Sequence, residues 1–177
     1  NLLVALVEVQ QPRNRGRIDV VRVGVLQPHH TAGRVEHVDR DRATLRGRDR
    51  GAVGARLLYP DGTIQHAGVI TGVGGGAGHA HRLQRVDDPG YFRRASLPQR
   101  VSAVTAACLV VARDKFLAVQ GFDEPEFPVA FNDVDLCLKL NARGWQSFYE
   151  PRATLIHHES KSRGTDRDKV GRERLAA

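Results

Sequence analysis

Residues 131–144, with the sequence FNDVDLCLKLNARG, contain the pattern that decides the fold of this chain. Apolar residues recur there at three- and four-residue spacings, which is typical of one apolar face on a helix. Those residues are Val134, Leu136, Cys137, Leu138 and Leu140. Asn132 fits the N-cap, with Asp133 and Asp135 in the first turn, and a basic residue and a glycine follow at the end. The pattern predicts an amphipathic helix over residues 132–143.

The carboxylates in the first turn of this helix allow two interpretations. Aspartate at a helix start is good capping chemistry, because its negative charge faces the positive end of the helix dipole. A carboxylate that is fixed in direction at a helix start, behind a loop bounded by Pro125 and Pro128, can also act as a general base. The spacing alone does not choose between a structural and a catalytic role.

The sequence around this helix predicts strands joined by turns. The predicted strands are residues 53–59, 64–70, 101–111, 145–149 and 154–157. Pro60–Thr63 has the residues of a tight turn and makes a hairpin of the first two strands. Residues 72–78 contain five glycines and are predicted to form a mobile loop, and residues 114–119 a short helix.

The composition of the chain changes near residue 51. Residues 1–50 contain ten arginines, no lysine and no aromatic residue, so they offer few large side chains for a core. Residues 18–26 could form one strand, whereas residues 31–50 show neither helical nor strand periodicity. A frame error or a truncation would explain such an arginine-rich segment. Residues 166–177 form a charged tail, predicted to be loosely ordered.

Charge, cysteines and hydropathy limit the classes of function. The net charge of +7 allows a nucleic-acid-binding protein as an alternative, but the arginines are spread along the chain without a recognisable binding module. Cys108 and Cys137 lie in apolar stretches and are predicted to be buried free thiols. There is no apolar run long enough for a membrane-spanning helix.

A pair of histidines follows the last predicted strand. His157 and His158 could bind a metal ion or a phosphate, or could simply lie on the surface beside a polar tail. Adjacent side chains of a strand point to opposite faces, so at most one of the two is expected to reach any single site.

Taken together, five segments in this order and spacing closely resemble the second half of family 2 glycosyltransferases. They are residues 51–62, 105–111, 121–124, 131–140 and 157–160. The Gly-Phe-Asp-Glu segment and the Asn-Asp-Val-Asp-Leu-Cys-Leu segment, separated by a short loop, form the most specific part of the match. The resemblance covers residues 51–165, which would be the acceptor-side half of a glycosyltransferase domain.

The resemblance implies an α/β fold of the Rossmann-like, GT-A type, incomplete at its N-terminus, that binds a nucleotide-diphosphate sugar with Mg²⁺ or Mn²⁺. By the same resemblance, Asp133 is the general base that deprotonates an acceptor hydroxyl, and the sugar is transferred with inversion. Asp123, Glu124 and Asp135 match positions near the acceptor, and His157 or His158, one at most, is a candidate metal ligand. The acceptor would be a glycan or a lipid-linked sugar, and the location cytoplasmic or at the inner face of a membrane.

The sequence also departs from the family pattern. Asn132 stands at a position that is often acidic, and Gln120 stands where a second glycine is common. The family has an Asp-x-Asp metal motif upstream, for which residues 1–50 give no convincing counterpart, since Asp39 and Asp41 lack a preceding apolar strand. A catalytically inactive, truncated chain is therefore the alternative to an active transferase, and a nucleic-acid-binding protein is the more distant one.

Overall fold

The computed structural model describes residues 47–73, 75–128 and 130–157 in full and the backbone of residues 3–7 and 24–26. The strands are β1 (Leu3–Val7), β2 (Gly24–Leu26), β3 (Arg50–Leu58), β4 (Ile64–His66), β5 (Val69–Val73), β6 (Gly76–His79), β7 (Gln99–Val101), β8 (Cys108–Ala112) and β9 (Gln146–Ile156). The helices are α1 (Arg113–Ala118) and α2 (Asn132–Ala142), with a 3₁₀ turn at Tyr91–Arg93. Both α-helices lie between β8 and β9, and this mixture of strands and helices is consistent with the predicted α/β class.

Seven strands of the described residues form one mixed sheet in the order β2-β1-β8-β3-β9-β7, with β4 paired to the end of β3, and β5 and β6 form a separate two-stranded sheet. Strands β3 and β9 are parallel, while β8 runs antiparallel to both β1 and β3. Strands β1, β3 and β9 consequently point the same way and end at one edge of the sheet. In α/β proteins, ligands bind beside the carboxyl ends of the parallel strands.

Helix α2 packs on one face of this sheet. It buries Val134, Leu136, Cys137 and Leu140 in a cluster with residues of β3 and β8, as the spacing predicted. Leu138, which the sequence placed in the same apolar set, is an exception with 37% of its surface exposed. A second cluster around Leu57 and Cys108 covers the opposite face, because neighbouring strand residues point to opposite sides.

The close approach of Val104 to Gly54 fixes the segment that leads from β7 to β8. A Cβ on Gly54 would lie 2.5 Å from the Cβ of Val104, so a larger residue does not fit in the middle of β3. The backbone of Val104 also contacts the Cys137 thiol, with 3.5 Å between Val104 N and Cys137 Sγ. Cys108 and Cys137 are both buried free thiols, as predicted, and burial raises the pKa of the Cys137 thiol to about 12.

We predict that Gly54→Ala destabilises the protein, because the new methyl group would push Val104 away from α2. Overpacking of this kind costs roughly 1–3 kcal/mol. Gly78→Ala is the matched control, since a Cβ on Gly78 meets no heavy atom within 4 Å. In urea unfolding, only Gly54→Ala should lower the free energy of unfolding. Equal stabilities of the two variants would contradict the close approach of Val104 to Gly54.

Several predicted strand boundaries were wrong. The apolar run 101–111 is not one strand, because it ends β7 and begins β8, with a loop between them. Residues 64–70 divide into β4 and β5 at Gly68, whose φ of 98° breaks the extended backbone. Strand β9 instead joins the two strands predicted at 145–149 and 154–157.

The glycine-rich stretch 72–78 was predicted to be a mobile loop, but much of it lies in the hairpin of β5 and β6. Gly72 and Gly75 have φ values of 85° and 73°, which place left-handed residues at the end of this hairpin. Of the strand predicted at 18–26, residues 24–26 form β2, and the remainder falls outside the described residues.

The turn before β3 is bonded to three elements. The carbonyl of Asp49 accepts a hydrogen bond from the N–H of Gln146 in β9, 2.6 Å away, and its carboxylate pairs with Arg100 of β7 at 2.9 Å. Lys115 of α1 donates to the carbonyl of Arg48 at 3.1 Å. Residues 48 and 49 thus connect β7, β9 and α1.

Helix α1 is followed by two residues in the left-handed region, Gln120 with φ 64° and Gly121 with φ 66°. A Cβ on Gly121 would lie 2.8 Å from the Phe116 ring, so glycine is required there. Gln120 has the same left-handed backbone conformation, but it carries a Cβ, which makes this conformation strained. A glycine would therefore suit the position.

We predict that Gln120→Gly stabilises the protein by about 0.5–1 kcal/mol, because the left-handed strain exceeds the added entropy of the unfolded chain. Gly121→Ala should have the opposite effect, since it adds strain and a clash. Thermal unfolding of the two variants measures both shifts. A lower melting temperature for Gln120→Gly would contradict the assigned backbone strain.

Candidate active site

The candidate site lies where the carboxyl ends of β3 and β9 meet the start of α2. Strand β8 begins at this same edge, because Cys108 follows the loop of residues 102–107 and β8 runs antiparallel to β3. The loop passes the first turn of α2 before it enters β8. Backbone and side chains from two separate segments are therefore brought to one edge of the sheet.

The carboxylate of Asp133 is held by backbone groups from two segments. Its Oδ1 accepts the N–H of Val134 at 2.8 Å, and its Oδ2 accepts the N–H of Ala106 in the loop before β8 at 2.9 Å. The side chain is half-buried rather than turned into bulk solvent. Each carboxylate oxygen has two lone pairs, so each can accept one further hydrogen bond.

The predicted N-cap was wrong by one residue. Phe131, in the left-handed conformation with φ 64°, is the N-cap, and its carbonyl accepts the N–H of Asp135 at 2.8 Å. Asn132 is the first helical residue, and its Oδ1 accepts the N–H of Asp133 at 2.8 Å. The left-handed residue turns the chain sharply from the preceding loop, which lets Asp133 reach Ala106.

The other acidic candidates have different surroundings. Asp135 forms an ion pair with Lys139, 2.8 Å between Oδ2 and Nζ, although this oxygen receives no hydrogen bond of good geometry. Lys139 also donates to the carbonyl of Gly121 at 2.8 Å. This bond ties the loop that begins at Gly121, and precedes α2, to the helix. Asp123 accepts the N–H of Glu126 at 3.1 Å within that loop, and Glu124 is exposed. Acceptor binding by Asp123, Glu124 and Asp135 stays a prediction.

The histidine candidate at the end of β9 is bound to the same sheet edge. The backbone N–H of His157 donates to the carbonyl of Leu58, 2.8 Å away, at the end of β3. Its ring Nδ1 lies 2.8 Å from Oε1 of Gln65, a buried residue of β4. His158 lies outside the described residues.

His66, the residue after Gln65 in β4, pairs with His79 of β6. His66 is fully buried, and its Nε2 accepts the N–H of Gly68 at 3.3 Å, so the proton of the neutral ring is on Nδ1. That Nδ1 donates to Nδ1 of His79 at 2.8 Å. Burial first, and then the neighbouring His79 and His157, hold the pKa of His66 well below its ordinary value.

This pKa shift predicts a loss of stability in mild acid. The unfolded chain takes up a proton on His66 near pH 6.5, whereas the folded chain does not, so stability is lost as the pH falls below about 6.5. The slope contributed by this one group is at most about 1.4 kcal/mol per pH unit. His66→Gln should flatten the dependence between about pH 6.5 and pH 5, measured by urea unfolding. Parallel wild-type and variant curves would contradict a neutral, buried His66.

The metal site implied by the resemblance is not complete in the described residues. No group of three or more histidine, cysteine, aspartate or glutamate side chains in the described part of the chain could hold a metal ion. His157 stays a candidate for one metal ligand. The Mg²⁺ or Mn²⁺ dependence therefore stays a prediction.

An open groove lies on another part of the molecule. It has a volume of about 680 Å³ and lies between β5, β7 and the C-terminal end of α2, where Asn141 lines it. None of the five described candidate residues, Asp123, Glu124, Asp133, Asp135 and His157, lines this groove. The site at the strand ends is thus separate from it.

Two groups that shape the site were missed by sequence reasoning. Ala106 was placed inside a continuous buried strand, in which its N–H would pair with another strand and not with Asp133. In the sequence, Gln65 is an ordinary residue of a predicted hairpin strand, yet its side chain contacts His157. An unremarkable glutamine and a main-chain N–H give no pattern in the sequence, so neither could have been identified without the fold.

Comparison with known proteins supports a glycosyltransferase family for this chain. It is 44% identical over 117 residues to the O-antigen biosynthesis protein RfbC of Myxococcus xanthus, covering 66% of this chain and 9% of that protein. It is 42% identical over 66 residues to the N-acetylglucosaminyl-diphospho-decaprenol L-rhamnosyltransferase of Mycobacterium tuberculosis, covering 37% of this chain and 21% of that protein. No family model matches the chain.

A further relative has a name that states no activity. The chain is 58% identical over 114 residues to the uncharacterized protein y4gI of Sinorhizobium fredii, covering 64% of this chain and 12% of that protein. The chain thus spans between 9% and 21% of the length of these relatives. None of the helices formed by the described residues is long and apolar enough to cross a membrane.

Proposed function

We propose that this chain is the acceptor-side part of an inverting glycosyltransferase, in which Asp133 is the general base. The observation that carries the proposal is the position of Asp133, half-buried at the edge where β3 and β9 end, with its two oxygens fixed by the backbone N–H groups of Val134 and Ala106. A carboxylate held in this way has a fixed direction and keeps lone pairs for a substrate hydroxyl.

In the proposed reaction, a hydroxyl of the acceptor donates a hydrogen bond to the Asp133 carboxylate. As the hydroxyl oxygen attacks the anomeric carbon, its proton passes to the carboxylate, and the bond from that carbon to the diphosphate oxygen breaks. The nucleotide diphosphate leaves with the bonding electron pair. Attack opposite to the leaving group inverts the anomeric centre, and a single base suffices because no covalent enzyme intermediate forms.

The loop of residues 121–128 is the proposed wall of the acceptor site. Lys139 ties the start of this loop to α2 through the carbonyl of Gly121, and Asp123 closes a turn within it. Because the loop is connected to the same helix that positions Asp133, an acceptor bound against it would stay aligned with the base. Glu124, exposed in the loop, is the proposed contact for acceptor hydroxyls.

The donor part of the proposal is supported by the names of the relatives and by the resemblance, not by contacts in the described residues. A nucleotide-diphosphate sugar would be the donor, and a glycan or lipid-linked sugar the acceptor, with the reaction in the cytoplasm or at the inner membrane face. A divalent cation would neutralise charge on the leaving diphosphate. His157 or His158, one at most, would be a ligand of this cation.

We predict that Asp133→Asn in the native protein lowers the rate of sugar transfer by about 10²–10⁴-fold, the usual contribution of a general base. The amide can still accept one of the two backbone hydrogen bonds, so the loss of stability should be only about 1 kcal/mol. Transfer is measured with UDP-, GDP- and dTDP-sugars and Mn²⁺, and folding by thermal unfolding.

Asp114→Asn is the matched control for this experiment. Asp114 also lies in the first turn of a helix, α1, but is exposed. The control should transfer at the wild-type rate. A folded Asp133→Asn variant that retains most of the wild-type rate would exclude Asp133 as the base.

The second candidate is a catalytically inactive chain, which the small share of each relative that it covers favours. Isothermal titration of the chain with the same three nucleotide sugars and Mn²⁺ separates the two. Heat of binding would show that the chain holds a donor site, and its absence, with transfer lacking as well, would support the inactive chain.

A further inference from the structure

We propose that Gln65 is a positioning residue that holds His157 in the tautomer whose Nε2 carries the lone pair. The inference rests on the proposed function for the role of His157, while the tautomer itself can be measured without any activity. Gln65 is neither acidic nor basic, and it lies 92 positions from His157 in the sequence.

The contact between the two side chains determines where the ring proton is. Oε1 of Gln65 lies 2.8 Å from Nδ1 of His157. An amide oxygen can only accept a hydrogen bond, so Nδ1 must donate and must carry the proton. In a neutral imidazole the other nitrogen, Nε2, then has the lone pair.

The surroundings of Gln65 make this contact rigid. Gln65 is only 4% exposed and lies in β4 between Ile64 and His66, both fully buried. A buried amide must have its polar atoms satisfied, so turning away from His157 would leave its oxygen without a partner. The backbone of His157 is held as well, through the carbonyl of Leu58. His157 is therefore held at two points, its backbone on β3 and its ring on β4.

The tautomer decides what His157 can do at the strand ends. With the lone pair on Nε2, the ring accepts a hydrogen bond at that nitrogen, whereas with the proton there it donates one. Residues that orient a functional histidine in this way typically contribute 10–100-fold to activity.

The test is nitrogen-15 NMR of the imidazole rings at a pH where they are neutral. In the wild-type chain, His157 should be protonated on Nδ1. Gln65→Leu, of similar size but without an acceptor, should shift His157 toward the mixture of tautomers found in a solvated imidazole. Gln65→Glu restores an acceptor oxygen and should keep the wild-type tautomer.

The chain offers a matched control in a second glutamine–histidine pair. Oε1 of Gln84 lies 2.8 Å from Nδ1 of His81, the same distance as in the pair of Gln65 and His157. Gln84→Leu should alter the signals of His81 and leave those of His157 unchanged. The two variants together separate a local effect on one ring from a general effect of removing an amide.

In the native protein, Gln65→Leu should lower sugar transfer by about 10–100-fold, and Gln65→Glu should restore it. A wild-type His157 protonated on Nε2 would overturn the proposal, and this result does not depend on whether any variant folds. A shifted tautomer with full transfer in Gln65→Leu would also overturn it. Failure of the proposed function would be seen separately, in an Asp133→Asn variant that still transfers.

Discussion

The contact of Val104 with Gly54 is the constraint on which the rest of the site depends. Because β3 has no side chain at this point, the segment between β7 and β8 can lie directly on the sheet. From there it passes the start of α2, where Ala106 presents its N–H to Asp133. The same segment contacts Cys137, so the helix, the loop and the sheet are fixed relative to one another. The absence of a side chain on Gly54 thus leaves room for the loop whose Ala106 N–H binds the carboxylate of Asp133.

The elements of this fold with strong local patterns could be predicted from the sequence. Helix α2 followed from its apolar spacing and its final glycine, the turn at Pro60–Thr63 from its turn residues, and α1 from the glycine that follows it. The strand boundaries could not be predicted in the same way. An apolar run such as residues 101–111 has the same composition whether it is one buried strand or two strands with a buried loop, because both are surrounded by protein.

The site shows a similar division. Asp133 and His157 were identified as candidates because their residue types, and the resemblance to glycosyltransferases, make them conspicuous. What fixes them was not predictable: a main-chain N–H from Ala106, and the amide of Gln65, which reaches His157 only because β4 pairs with β3. Asp135, an equal candidate in the sequence, is instead paired with Lys139. The two aspartates differ in their contacts in the folded protein, since Asp133 accepts from a distant backbone N–H and Asp135 pairs within its own helix.

The turn of residues 48 and 49 bears on how this protein can be shortened. The composition suggests a natural cut near residue 51, yet the chain just before that point satisfies the N–H of Gln146, neutralises Arg100 and accepts from Lys115. A version that starts at Gly51 would leave these three groups without their partners and expose the first residues of a central strand. Any engineered fusion or trimmed domain should therefore keep this turn, and also β1, because β1 pairs with β8.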